Sequence, residues 1–122
     1  AAILQPDIRH CGGILEMKKI AALAEIHYMA MAPHSAADAV GVVASLHAMA
    51  GTPNFLIQEY GGGAGDGLFT EPLIFEDGFV GIPQGPGLGI EIDPEGLAAH
   101  RQTEWRQRAM RRHPEDNSVN DI

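Results

Sequence analysis

Residues 28–59 read YMAMAPHSAADAVGVVASLHAMAGTPNFLIQE. The apolar run over 28–32 stops at Pro33-His34. A helix is expected over about 36–50. Ser35 with Asp38 three residues on is a capping-box signature for its start, and Gly51 is a C-cap candidate. A second apolar run, Asn54-Phe55-Leu56-Ile57-Gln58, stops at Glu59. Strand, helix and strand in this order make a βαβ unit, which implies a parallel pair joined by a right-handed crossover.

The same pattern extends toward the N-terminus. Ile3-Leu4-Gln5-Pro6-Asp7 is another apolar run with a polar end. Gly12-Gly13 follows, and then a helix is expected over about 14–27. Its apolar positions Ile20, Leu23 and Ala24 fall at i, i+3 and i+4, with Glu16, Lys18, Lys19 and Glu25 on other faces. Asp7, His34 and Glu59 end the three runs at spacings of 27 and 25 residues. A barrel of about 250 residues in eight units repeats about every 31 residues, although an open doubly wound sheet has similar periods. The expected fold class is α/β, with residues 1–67 as the last three strands of a (β/α) TIM-type barrel. The runs are apolar throughout, as expected where both faces of a sheet are covered.

After Glu59 the character changes. Gly61 to Gly67 reads as a flexible loop, and Asp77-Gly78 between two apolar runs signals a hairpin. Pro83-Gln-Gly-Pro-Gly-Leu-Gly89 is turn-rich, and Ile90-Glu91-Ile92 is a short extended piece. Asp93-Pro94-Glu95 caps a last helix, with Pro at its first position. Trp105 and the residues beyond read as a polar tail. Residues 68–122 are therefore expected to form a C-terminal extension.

Composition narrows the function classes. The chain has 122 residues, 45% hydrophobic and 20% charged, which is an ordinary globular balance. The formal net charge is −8 and the basic residues cluster only between 101 and 112, which argues against nucleic-acid binding. The single cysteine, Cys11, rules out a disulfide within the chain and a cysteine metal site, and fits a reducing, cytoplasmic setting. No apolar run approaches the roughly 20 residues that span a bilayer, so no membrane partner is expected. The start, Ala1-Ala2-Ile3-Leu4, lacks a basic region and an initiator Met, so it reads as entry onto a strand rather than as a signal peptide.

Active sites of parallel α/β proteins form at the C-terminal ends of the strands. Neighbouring strands lie about 4.8 Å apart, so Asp7 and His34 can meet directly. A carboxylate bonded to one imidazole nitrogen fixes the tautomer and raises the basicity of the other nitrogen, which suits His34 to general acid–base work. The dipole of the helix that follows His34 opposes this effect. Glu59 is one strand further, and a carboxyl group in a closed pocket can be protonated and can hydrogen-bond a developing oxyanion. His10, on the first loop, is a candidate for lining a pocket or for a solvated role. His27 and His47 fall on expected helices, where packing or surface roles are usual, and His100 and His113 fall toward the tail. Cys11 reads as a small buried residue. The glycine loop suits either a phosphate cradle or a plain flexible link.

The motifs Gln5-Pro-Asp7, His10-Cys-Gly-Gly-Ile14, Ala32-Pro-His34, Thr52-Pro-Asn-Phe-Leu-Ile-Gln-Glu59, Glu76-Asp-Gly-Phe79 and Pro86-Gly-Leu-Gly89, in this order, resemble the enolase superfamily. The resemblance is to its mandelate racemase-like branch, nearest the acid-sugar dehydratases of the galactonate dehydratase type. Asp116-Asn-Ser-Val119 is similar to the family's ending, so the natural end is expected to be present. The resemblance implies that Asp7 and His34 form the catalytic dyad, with His34 taking the proton beside a substrate carboxylate. It implies that Glu59 hydrogen-bonds the enediolate. It further implies loss of a β-hydroxyl to give a 2-keto-3-deoxy acid, and Mg²⁺ held by carboxylates on earlier strands, with no metal ligand in this chain. The C-terminal segment would pack against the barrel and a capping domain, the partner would be a small sugar acid, and the full-length protein would be a homo-oligomer. Ser35-Ala-Ala-Asp-Ala39 stands where such members often carry a Gly-Pro loop, and Asn117 and Ile122 also depart from the usual ending. Racemase or cycloisomerase chemistry of the same branch stays open, as does an inactive truncated chain with no function alone.

Overall fold

The structure is a computed structural model that describes residues 1–35, 39–61, 65, 67–101 and 115–116. Among these, β1 (Ile3–Leu4) leads through a tight loop to α1 (Ile14–Ile26), which returns to β2 (Ala30–Met31). Next come α2 (Ala39–Ala50), a hairpin of β3 (Phe75–Glu76) and β4 (Phe79–Val80), and α3 (Pro94–Ala99). Asp38 of the expected capping box and the tail around Trp105 and His113 lie outside the described residues.

β1 and β2 are parallel, with Ile3 opposite Ala30 and Leu4 opposite Met31. The run over 54–59 lies on the other side of β2. Met31 donates its N–H to Asn54 O and accepts from Leu56 N–H, a parallel bridge at Phe55. The expected strand over 54–58 is reduced to this bridge. Pro33 has no N–H, so β2 cannot extend the ladder. Beyond it, the Pro33 carbonyl accepts from Glu59 N–H at 3.3 Å, although the bridge at Phe55 would assign that bond to Gln58. One extra residue is thus accommodated at the polar end of the run, a bulge-like slip of the kind that re-aims side chains beside functional sites. Tyr28 also leaves the expected strand. It is fully exposed with φ 54°, in the turn that joins α1 to β2.

The helices cover one face of this small sheet. α1 buries Met17, Ala21 and Ala24 against Ile8, Met31, Ala48 and Met49. Of the positions the periodicity picked out, Ala24 is buried and Ile20 packs at the edge of this core, but Leu23 does not belong to the stripe. Ile20 is half-buried and Leu23 is exposed. Alanines let α1 approach the strands closely, which sets the packed face. α2 is buried at most positions because it packs on two sides, against the first core and against a second core of Phe69, Leu73, Val80, Ile82, Leu88 and Ile90. Fully buried residues such as Met17, Met31, Val42 and Val43 each stabilise by about 1.5–3 kcal/mol. Leu56 and Ile57 stay exposed, so the expected covering of both faces is not met among the described residues. Gly51 does not cap α2 in the left-handed region. Lys18 Nζ instead reaches Gly51 O, and Thr52 Oγ1 donates to Ala48 O at 2.8 Å.

The C-terminal elements follow their local chemistry. Asp77 and Gly78 carry φ of 50° and 82° between β3 and β4. Positive φ at both central residues is the two-residue turn whose twist matches an antiparallel pair. Asp93 caps α3 by accepting from Glu95 N–H and Gly96 N–H, with Pro94 at the first helical position.

Candidate active site

The parallel register carries Asp7 and His34 to the same level, as a bridge between their backbones. Their sequence separation of 27 equals the offset of the β1–β2 ladder. Both sit just past the C-terminal ends of their strands, where His34 N–H donates to Pro6 O. The side chains meet, with Asp7 Oδ2 3.0 Å from His34 Nδ1. Asp7 is buried, while the imidazole is 47% exposed and open on its other edge.

Glu59 completes the cluster. Its Oε2 accepts the Ser35 N–H at 2.9 Å and stands 3.9 Å from His34 Nε2. That gap is too long for a hydrogen bond, so the imidazole edge and the carboxylate both face the space between them. Gln58, one residue earlier, turns toward the helices, where its Oε1 accepts from Ser45 Oγ at 2.7 Å. The slip past Pro33 therefore separates two neighbouring side chains, with Gln58 on the helical layer and Glu59 beside His34.

Arg9 was not singled out from the sequence. It donates to the Asp7 carboxylate three times, from its N–H to Oδ1 at 2.8 Å, from Nε to Oδ1 at 3.1 Å and from Nη2 to Oδ2 at 2.9 Å. These bonds hold the Asp7 carboxyl well below the usual carboxylate range; burial works against them, and His34 adds a smaller push in the same direction. Asp7 is therefore an anion at any ordinary pH and can only accept hydrogen bonds. It follows that His34 Nδ1 carries the proton in their bond and that neutral His34 presents a bare Nε2 toward Glu59. The available sequence signal for Arg9 was its place two residues after an Asp, where an N–H returns to the side-chain oxygen in an Asx turn.

The other candidates lie apart from this cluster. His10 is exposed, and its N–H donates to Asp7 O at 3.1 Å, but no hydrogen bond joins its imidazole to the three residues. His47 Nε2 lies 3.0 Å from Leu88 O and ties α2 to the turn over 83–89. Cys11 is half-buried and free, with Sγ against the carbonyls of Ile8 and Gly13. Most of the glycine loop, 62–64 and 66, lies outside the described residues. Among the described residues no group of three or more His, Cys, Asp or Glu side chains converges as a metal site, and no helix is long and apolar enough to cross a membrane.

Comparison with known proteins places this geometry. The model of the family described as enolase C-terminal domain-like matches residues 1–96. The chain is 36% identical over 101 residues to a D-xylonate dehydratase of Haloferax volcanii, covering 80% of this chain and 24% of that protein. It is 37% identical over 122 residues to a D-galactonate dehydratase of Ralstonia pickettii, covering 90% and 32%. It is 39% identical over 110 residues to a D-galactarolactone cycloisomerase of Agrobacterium fabrum, covering 81% and 29%. The chain thus spans about a quarter to a third of the length of the curated relatives it matches.

Among solved structures, a mandelate racemase/muconate lactonizing enzyme of a Jannaschia species superposes with a TM-score of 0.77 at 39% identity, covering 87% of this chain and 28% of that one. An enolase of Agrobacterium radiobacter, solved with Na and L-malate, superposes with a TM-score of 0.76 at 30% identity, covering 98% and 34%. These likenesses decide between the two architectures that spacing left open, in favour of part of a (β/α) barrel. The chain belongs to the enolase C-terminal domain-like family, in the mandelate racemase-like branch of the enolase superfamily.

Proposed function

We propose that this chain carries the proton-transfer side of an acid-sugar dehydratase. The observation that carries the reading is the directed pair of contacts on one imidazole, with Asp7 on Nδ1 at 3.0 Å and Glu59 facing Nε2 at 3.9 Å. In this reading His34 Nε2 removes the proton α to the substrate carboxylate, and Asp7 stabilises the imidazolium that forms. Glu59, held by Ser35 N–H on Oε2, acts in its protonated carboxyl form and donates a hydrogen bond to the enediolate oxygen as charge develops there. The electron pair of the enediolate expels the β-hydroxyl, which leaves as water by taking the proton that His34 now carries, so that His34 returns to its neutral form. The resulting enol tautomerises to a 2-keto-3-deoxy acid. His10, on the loop after Asp7, is proposed to line the substrate pocket.

Among the described residues no group of three or more potential ligands gathers that would hold the Mg²⁺ the resemblance implies. The proposal places its ligands on barrel strands outside the chain, where the ion would act as a Lewis acid on the substrate carboxylate. The full-length protein would be a cytoplasmic homo-oligomer, and the 122 residues alone would be inactive. The relatives named D-galactonate and D-xylonate dehydratase favour this reaction. The relative named D-galactarolactone cycloisomerase keeps a second reading in view, because cycloisomerisation uses the same proton-transfer half.

The reading is tested by incubating the complete protein that carries this segment, with Mg²⁺, with a panel of C5 and C6 aldonates and aldarates. Release of a 2-keto-3-deoxy acid is expected. Isomerisation of a sugar-acid lactone added to the panel, with no 2-keto-3-deoxy acid released from the acids, would replace the dehydratase by the second reading.

A further inference from the structure

Arg9 makes more contacts to Asp7 than His34 does, yet the proposed reaction gives it no part. We propose that Arg9 is a positioning residue that fixes the direction of the Asp7–His34 hydrogen bond, and with it the tautomer in which His34 works. This inference rests on the reading of His34 as the base.

The Asp7 carboxylate is held on both oxygens. Oδ1 takes two donors, both from Arg9, at 2.8 and 3.1 Å. Oδ2 is shared by Arg9 Nη2 at 2.9 Å and His34 Nδ1 at 3.0 Å. A guanidinium fork bonded to both oxygens fixes the plane of a carboxylate, which a single ammonium cannot do. The backbone N–H of the same residue adds a third bond that ties this plane to the chain. Asp7 is thus left with one direction in which Oδ2 can reach the imidazole.

The hydrogen bonds of Arg9 also set the charge state of Asp7. A protonated Asp7 could donate to Nδ1, and the proton of His34 would then sit on Nε2, which could not act as a base. The hydrogen bonds from Arg9 outweigh the burial that favours the protonated form and keep Asp7 an anion that only accepts, so Nδ1 must donate and Nε2 stays bare. The Asp7 side chain is only 6% exposed, so water is poorly placed to substitute for Arg9.

A role in merely closing the loop is already filled by other groups. His10 N–H and Cys11 N–H donate to Asp7 O at 3.1 and 2.9 Å, and Gly13 N–H donates to Ile8 O at 2.8 Å. The turn after β1 is closed by the backbone, and the guanidinium acts on the carboxylate.

The test is a ¹⁵N-histidine NMR spectrum of the complete protein without substrate, with the His34 signals identified by their loss in His34→Asn. Wild type is expected to show a single Nδ1–H tautomer at His34. Arg9→Gln is expected to lose it to a mixture with the Nε2–H form, and Arg9→Lys, which keeps the charge but not the fork, is expected to restore only part of it. Identical His34 spectra in wild type, Arg9→Gln and Arg9→Lys would overturn the proposal. A comparable Nε2–H population in wild type would overturn it without any variant, which covers the case where Arg9→Gln does not fold. The spectrum is read without turnover, so its failure is distinct from failure of the dehydratase reading, which would show as absence of product from wild type.

Discussion

His34→Asn in the complete protein is expected to lower turnover by about 10²–10⁴-fold or more, the range that a positioned acid–base group contributes, while leaving the protein folded. The loss follows from what asparagine cannot do. Its amide can occupy the space beside Asp7 and donate to Oδ2, but it offers no basic atom where Nε2 stands. The fold survives because the His34 side chain is half-exposed and its one hydrogen bond runs to an Asp7 that Arg9 still holds. Removing one such bond costs about 1–3 kcal/mol at most. A thermal melt beside the rate assay separates the two effects. A variant that melts near wild type and keeps its rate would remove His34 from the reaction.

Asp7→Asn is expected to cost nearly as much, about 10³–10⁴-fold in kcat with a smaller change in KM, as other dyads do when the tautomer is reversed. The geometry specifies how. Arg9 N–H and Nε both point at Oδ1, so the amide oxygen of an asparagine is drawn to that side. The NH₂ group then takes the place of Oδ2 and donates to His34 Nδ1. This puts the imidazole proton on Nε2, where it blocks proton abstraction. The same NH₂ faces Arg9 Nη2, donor against donor, and the ion pair is lost, so a fall in melting temperature accompanies the fall in rate. Rates within tenfold of wild type would show that the Asp7–His34 bond does not set the tautomer.

The two variants also show which parts of the site were readable in advance. Asp7 and His34 are opposed because the sequence spacing equals the offset of the parallel ladder. That offset needs only the strand–helix–strand rhythm. Glu59 is different. The bridge at Phe55 places Gln58 opposite His34, and Glu59 arrives only because Pro33 interrupts the ladder and the run slips by one residue. Pro33 was visible, but the slip depends on which donor finds its carbonyl. Arg9 was missed because its effect comes from a side chain folding back over its own loop, which no periodicity records. The packed face of α1 was misread for a similar reason. Ala21 scores as weakly apolar, yet small residues let a helix sit close to the strands, and Leu23 is left on the outside.

The short-range signals fared better. Asp77-Gly78 specifies its turn through positive φ at both residues, and Asp93-Pro94 specifies a helix start through a capping carboxylate and a preset φ. Both depend on two or three adjacent residues and little else.

Removal by His34 Nε2 of the proton α to a carboxylate is read in D₂O by following loss of the α-proton signal from a sugar acid that the complete protein binds, in wild type and in His34→Asn. Wild type is expected to replace the α-proton with deuterium or to form monodeuterated product, and His34→Asn, folded and still binding the acid, is expected to do neither. Exchange at the wild-type rate in His34→Asn would contradict it.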